Sequence, residues 1–222
     1  MTGPRYVYAV CRPFGTPLQA QLTGVAGAPA KLLNHHGLTA VVSEVPARDF
    51  AEEPLRDRLG DPRWLSATER GHHQVVDALT AVTTPVPLPP GTVFRDDSGV
   101  RVMIEHREDD LRAALDRLDG RVEWGVRVTA GSLPEPEAAR FADRLHTRLT
   151  EHAEEARRLP PGGDALAAAY LVPRARSEEF AEVVERARAA ASGTAGPYVE
   201  LAGPWAAYSF VESFAEPESF RV

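Results

Sequence analysis

Seven histidines and a single cysteine are the side chains of this 222-residue chain best equipped for chemistry, and their spacing argues against most of it. His35-His36 and His72-His73 are adjacent pairs. Neighbours on a helix or strand point in different directions, so neither pair is expected to chelate as an i,i+4 couple would. His146 and His152 fall on one predicted helix but six residues apart, about 240° round it. No His-Glu-x-x-His and no Cys/His zinc spacing occurs. Histidines on polar helix faces, with no metal ligand among them, are the expectation. Cys11 stands alone inside an apolar strand, where a thiol is expected to pack rather than attack.

Phosphate chemistry fares no better. There is no G-x-x-x-x-G-K-[ST], and Gly24-Val25-Ala26-Gly27 lacks the third glycine of a dinucleotide loop. Gly162-Gly163-Asp164 follows a predicted helix, at the end whose dipole repels anions. The run Glu151-His152-Ala153-Glu154-Glu155-Ala156-Arg157-Arg158 has Glu154 and Arg158 at i,i+4 and Glu155 and Arg158 at i,i+3. It reads as a solvated helix face with weak ion pairs rather than a carboxylate cluster. These residues predict no catalytic group and no cofactor.

The aromatic segment Gly203-Pro204-Trp205-Ala206-Ala207-Tyr208-Ser209-Phe210-Val211 is different in kind. Nothing in it ionises near neutral pH. It reads as a tight Gly-Pro turn presenting Trp205, followed by a strand in which Tyr208, Phe210 and Phe214 share one face. Two readings stand side by side. The rings cover the C-terminal core, or Trp205, Tyr208 and Phe210 form a contact surface for an apolar partner, since Trp and Tyr are typical anchors.

The elements that must position these residues follow from pattern. Strands are expected at Tyr6–Cys11, Leu38–Val45, Val122–Thr129, Ala167–Val172, Tyr198–Leu201 and Tyr208–Val211. Pro13–Pro29 is expected to be loop with a short strand around Leu22. Helices are expected at Glu52–Leu59, broken by Asp61-Pro62, then at Thr68–Val82, Asp109–Leu118, Pro136–Leu159 and Glu178–Ala191. Ser177 would cap the last and Gly193 close it. Pro85–Pro90 forces extended backbone. The C-terminal half thus reads β-α-β-α-β. The fold class is α+β in two α+β domains, 1–119 and 120–222, meeting near Asp119–Arg121.

Composition sets the outer limits. A net charge of −7, from 32 acidic and 25 basic residues, weighs against nucleic acid and anionic membranes as partners. With 43% hydrophobic residues the chain can bury a core. One cysteine excludes an internal disulfide and fits a reducing compartment. No apolar stretch approaches the ~20 residues needed to span a bilayer. The expectation is a soluble, cytoplasmic protein.

Several segments, taken in order, resemble the gas vesicle protein F/L family (GvpF/GvpL). They are Tyr6-Val7-Tyr8, Gly37–Val45, the helix of His72 and His73 leading to Pro85-Val86-Pro87-Leu88, Gly91-Thr92-Val93-Phe94, Glu123–Val128, Ala168–Val172 and Gly203-Pro204-Trp205 with Tyr208-Ser209-Phe210-Val211. The resemblance runs nearly end to end, and the last segment is the most specific. Two departures mark a divergent copy: Ala206-Ala207 stand where the family usually has Pro-Pro, and Pro89-Pro90 where it has Arg-Phe. The resemblance implies a C-terminal domain of modified ferredoxin-like fold. It also implies a minor vesicle component, with the small hydrophobic shell protein and other vesicle accessory proteins as partners. Such a protein is expected to bind the shell protein and limit its aggregation during nucleation. The competing classes are an enzyme using an interdomain cleft and a small-molecule-binding regulatory module.

Overall fold

Tyr6 and Tyr8 show how the first half of the chain is built. In the computed structural model, which describes residues 3–15, 22–160, 162–191 and 196–211, both lie on strand β1 (Arg5–Cys11), where every residue after Arg5 is buried. β2 (Lys31–His35) and β3 (Leu38–Glu44) form a hairpin, and β3 pairs antiparallel with β1. The register shifts between Val7 and Ala9, so Tyr8 sits at a bulge and its ring lies 5.0 Å from that of Tyr6. Continuous burial along β1 and β3 means that both faces of this sheet are covered.

Short helices α1 (Ala47–Phe50) and α2 (Glu52–Arg58) precede α3 (Pro62–Thr80). α2 ends before Asp61-Pro62, as expected, and the same pair also starts α3. Asp61 accepts from the Arg63 and Trp64 N–H groups, and Pro62 occupies the first turn, where no N–H is needed. α3 buries His72, Val75, Val76 and Leu79, whereas Val82, assigned to that face, is 40% exposed. β4 (Val86–Pro87) and β5 (Val93–Phe94) both pair with β1, giving the order β2-β3-β1-β4 with β5 alongside. β2, β5 and the next helix, α4 (Asp97–His106), lie in stretches where no element was expected. Asp96 caps α4 through the N–H groups of Ser98 and Gly99. α5 (Glu108–Leu118) buries Leu111, Leu115 and Leu118 as its spacing predicts.

The described residues divide into two compact units, one up to Asp119 and one running Gly120–Phe210; Val211 groups with the first. In the second unit the elements are β6 (Arg121–Thr129), α6 (Glu135–Thr150), β7 (Glu155–Arg158), β8 (Leu166–Pro173), α7 (Ser177–Ala191) and β9 (Tyr198–Trp205). All pairings are antiparallel, in the order β7-β8-β6-β9. Val122, Trp124, Val126 and Val128 alternate with Leu166, Ala168, Tyr170 and Val172 on one face. They pack there against Leu145, Leu149, Phe180, Val183 and Val184 of the two helices.

Four expectations are corrected here. The helix predicted to Leu159 stops at Thr150, and the charge run ends in edge strand β7. Glu154 pairs with Arg121 and Arg158 with Asp143, so the inferred i,i+4 pairing does not form. Ser177 is itself helical, following a 3₁₀ turn at Arg174–Arg176, and is not a cap. Tyr208–Phe210 is a 3₁₀ turn rather than a strand. Gly193 and Phe214 lie outside the described residues, as does most of the segment between Pro13 and Leu22. Where that segment resumes, Thr23 bridges to Pro29.

Candidate functional site

The aromatic segment sits on the face of the second sheet opposite the one that packs against α6 and α7. Trp205 is the last residue of β9, and Gly203-Pro204, expected as a turn before it, lies within that strand with a cis peptide bond. Gly203 has φ +117°, a conformation that L side chains rarely adopt, and the Glu123 carbonyl and Trp124 ring crowd the space a Cβ would take. The ladder shifts register between Glu123 and Gly125, with Trp205 opposite Glu123. The Trp205 indole lies over Gly125, where a Cβ would come to 3.4 Å from it. Odd-numbered residues of β6 share this face, so Glu123, Gly125 and Trp205 form one patch.

Glu123 is the residue that the sequence did not reveal. It is only 5% exposed, and its carboxylate accepts from the Ser209 N–H at 2.8 Å and the Ser209 hydroxyl at 2.7 Å. Burial pushes its pKa up; hydrogen bonds from Ser209 and the Trp205 indole, together with the Arg157 charge, oppose that. Arg157 of β7 lies 5.3 Å above the Phe210 ring. A strand-borne carboxylate thus pins the turn that carries Tyr208, Ser209 and Phe210. No pattern in the sequence pairs residues 86 positions apart.

The three residues singled out for contact do not stand alike. Trp205 and Tyr208 are half-buried. Phe210 is fully buried, as are Ala206 and Ala207, so Phe210 offers packing and no surface.

Residues considered for catalysis are placed as follows. Cys11 is fully buried, and burial pushes its thiol up to about 12, which keeps it protonated. His72 is fully buried beneath Tyr6, whose hydroxyl lies 3.1 Å from His72 Nδ1. Desolvation, with the neighbouring His73 adding to it, lowers His72 to about 3. His146 Nδ1 meets the Tyr170 hydroxyl at 2.7 Å, and His152 faces Glu179 at 3.2 Å. Asp164 is engaged by Thr129 and Arg127. His35 and His36 depart from expectation: they straddle a strand end and a turn, and their rings lie 4.5 Å apart. Among the described residues no helix is long and apolar enough to cross a membrane.

An α+β chain with two antiparallel sheets is the class that this architecture defines. The family described as "Gas vesicle synthesis protein GvpL/GvpF" matches residues 4–137 and 131–212. The chain belongs to that family. It is 43% identical to gas vesicle protein L of Streptomyces sp. (strain CB03234), across 93% of this chain and 92% of that one. It is 25% identical to gas vesicle protein F of Haloferax mediterranei, across 96% and 95% respectively. The crystal structure of GvpF from Anabaena sp. PCC7120 superposes with a TM-score of 0.75 at 18% identity, covering 95% of this chain and 97% of that one. That of GvpF from Microcystis aeruginosa gives 0.76 at 19%, covering 95% and 100%. Family membership gives the chain an accessory role in gas vesicles.

Proposed function

We propose that this protein is a non-enzymatic assembly factor of gas vesicles. In this reading it is a minor vesicle component, working in the cytoplasm and at the vesicle. It binds the small hydrophobic shell protein and limits its aggregation while vesicles nucleate. The relatives' names, gas vesicle protein L and gas vesicle protein F, support the setting. The observation that carries the binding role is the Trp205–Tyr208 patch. Two large rings stay partly exposed on the sheet face opposite α6 and α7, although the Tyr208 hydroxyl itself is buried, and the buried Glu123 carboxylate fixes the adjoining turn at Ser209. A shell protein that lines a gas space exposes apolar surface before it assembles, and rigid aromatic rings are suited to cover such surface. We also read residues 120–210 as the ferredoxin-like unit implied by the resemblance. Their order β-α-β-β-α-β and strand order β7-β8-β6-β9 support it.

The test is sedimentation of shell protein diluted from denaturant with and without this chain. The reading expects soluble shell protein to rise in proportion to added chain and a stoichiometric complex to be recovered. Shell protein that pellets equally in both cases would refute it.

A further inference from the structure

We propose that His35, His36 and Glu105 form a binding site for a borderline divalent cation such as Zn²⁺, at the tip of the β2–β3 hairpin where it meets α4. One ligand atom from each of the three lies within 4.8 Å of the others. His35 Nε2 stands 2.6 Å from Glu105 Oε1. Two imidazoles and one carboxylate are a donor set suited to Zn²⁺, with one position left for water. Imidazole nitrogen disfavours Mg²⁺ and Ca²⁺, which take oxygen ligands.

The turn geometry explains how adjacent histidines converge. His35 pairs with Leu38, leaving His36-Gly37 as a two-residue turn. Their φ angles are +50° and +69°, the sign that a type I′ turn requires at both positions. His36 is therefore out of the strand's alternation, and its ring folds back to 4.5 Å from that of His35 at an interplanar angle of 32°. Asn is the favoured residue at the first position of such a turn, because its short polar side chain tolerates the left-handed region. A histidine there carries a backbone cost that a purely structural turn avoids with Gly.

The surroundings fit a ligand role. Glu108 Oε2 lies 2.6 Å from His36 Nδ1. A carboxylate on one imidazole nitrogen orients a metal-ligating histidine and leaves the other nitrogen to the ion. Arg112 donates to Glu108 at 3.0 Å and to the His36 carbonyl at 2.7 Å. Glu108 is thereby balanced, and Glu105 is the carboxylate left for the cation. The ion would tie the hairpin to α4, two elements well separated in sequence.

The experiment is calorimetric titration of Zn²⁺ into the full chain without a histidine tag, with Co²⁺ absorption as a second readout of ligand type. The proposal expects one equivalent bound at micromolar or tighter Kd, and tetrahedral Co²⁺ bands. Glu105→Gln and His35→Gln should each weaken Zn²⁺ binding at least tenfold. His36→Asn keeps the turn, so its melting temperature without metal should hold or rise while affinity falls by a similar factor. Wild-type protein taking up no Zn²⁺ at about 100 µM, or all three variants binding as wild type does, would overturn the site. The outcome is independent of whether the chain binds shell protein.

Discussion

Glu123 on β6 and Ser209 in the 3₁₀ turn are joined by two hydrogen bonds, at 2.8 and 2.7 Å, from the backbone N–H and the hydroxyl of one residue to one carboxylate. Glu123→Ala removes both acceptors and leaves the Ser209 N–H without its partner. The expected loss is about 1–3 kcal/mol in chemical denaturation, and Ser209→Ala should cost less because one bond survives. The pH dependence has a definite sign. Burial raises the Glu123 pKa above its unfolded value, so the folded form holds the proton more tightly. Its contribution is fully present below the usual glutamate pKa and is lost as pH rises through the raised one. Relative to Glu123→Gln, wild-type stability should decline across that window. A wild type and Glu123→Gln pair with parallel stability–pH curves would contradict this.

The fold was legible where apolar periodicity was strong and obscure where function or solvent shaped the residues. Val122–Val128 and Leu166–Val172 alternate inward with helix-facing residues, and Leu111, Leu115 and Leu118 repeat at helical spacing. β7 failed because Glu155–Arg158 is an edge strand with three exposed residues. Charges protect a sheet edge from pairing, and four charged or small residues look the same on a helix surface. α4 is obscured because Gly99 interrupts its first turn, where an added Cβ would come to 3.3 Å from Phe94. The Asp96 cap was the available signal. At the candidate site, Trp205 and Tyr208 stand out by residue type, whereas Glu123 and its partner Ser209 do not, since a pairing between a strand and a turn 86 residues away leaves no local trace.

His72 makes stability at acid pH a readout of the first core. Its folded pKa is lowered to about 3 from an unfolded value of 6.5. The unfolded chain therefore takes up a proton first as pH falls, and stability drops progressively between about pH 6.5 and 3. By pH 5 the single-site loss amounts to about 2 kcal/mol. His72→Gln retains a polar partner for the Tyr6 hydroxyl and removes the titration. Urea melts at pH 7, 6 and 5 should show a steeper decline for wild type than for the variant. Equal slopes would mean that His72 is protonated inside the fold.

Gly24 is a steric test of the same core. The Tyr8 hydroxyl donates to Ser43 at 2.9 Å and accepts from the Val25 N–H at 3.0 Å. A Cβ on Gly24 would fall inside contact distance of that hydroxyl and 2.8 Å from a Val75 methyl. Gly24→Ala should cost about 1–3 kcal/mol by displacing Tyr8 from both bonds. In a Tyr8→Phe background the clash with the hydroxyl disappears, so the penalty should shrink. An undiminished penalty there would place the strain elsewhere.

The contact role of the aromatic patch is tested by dissociating surface from core. Phe210 is fully buried under Arg157, and Phe210→Ala should lower stability by about 3–5 kcal/mol. Trp205 and Tyr208 are half-buried, so truncating either removes less packing. If they anchor shell protein, Trp205→Ala or Tyr208→Ala should weaken its binding some 30- to 1,000-fold, equivalent to about 2–4 kcal/mol. Trp205 needs a further control, because its indole also bonds the Glu123 carboxylate. Glu123→Gln separates the two effects: it perturbs the turn's anchor while keeping both rings. Melting temperature and shell-protein affinity should be measured on all four variants. The contact reading expects affinity to follow loss of the Trp205 or Tyr208 ring and melting temperature to follow loss of Phe210. A Trp205→Ala protein that melts far lower yet binds normally while folded would assign the ring to the core and move the interface to another surface.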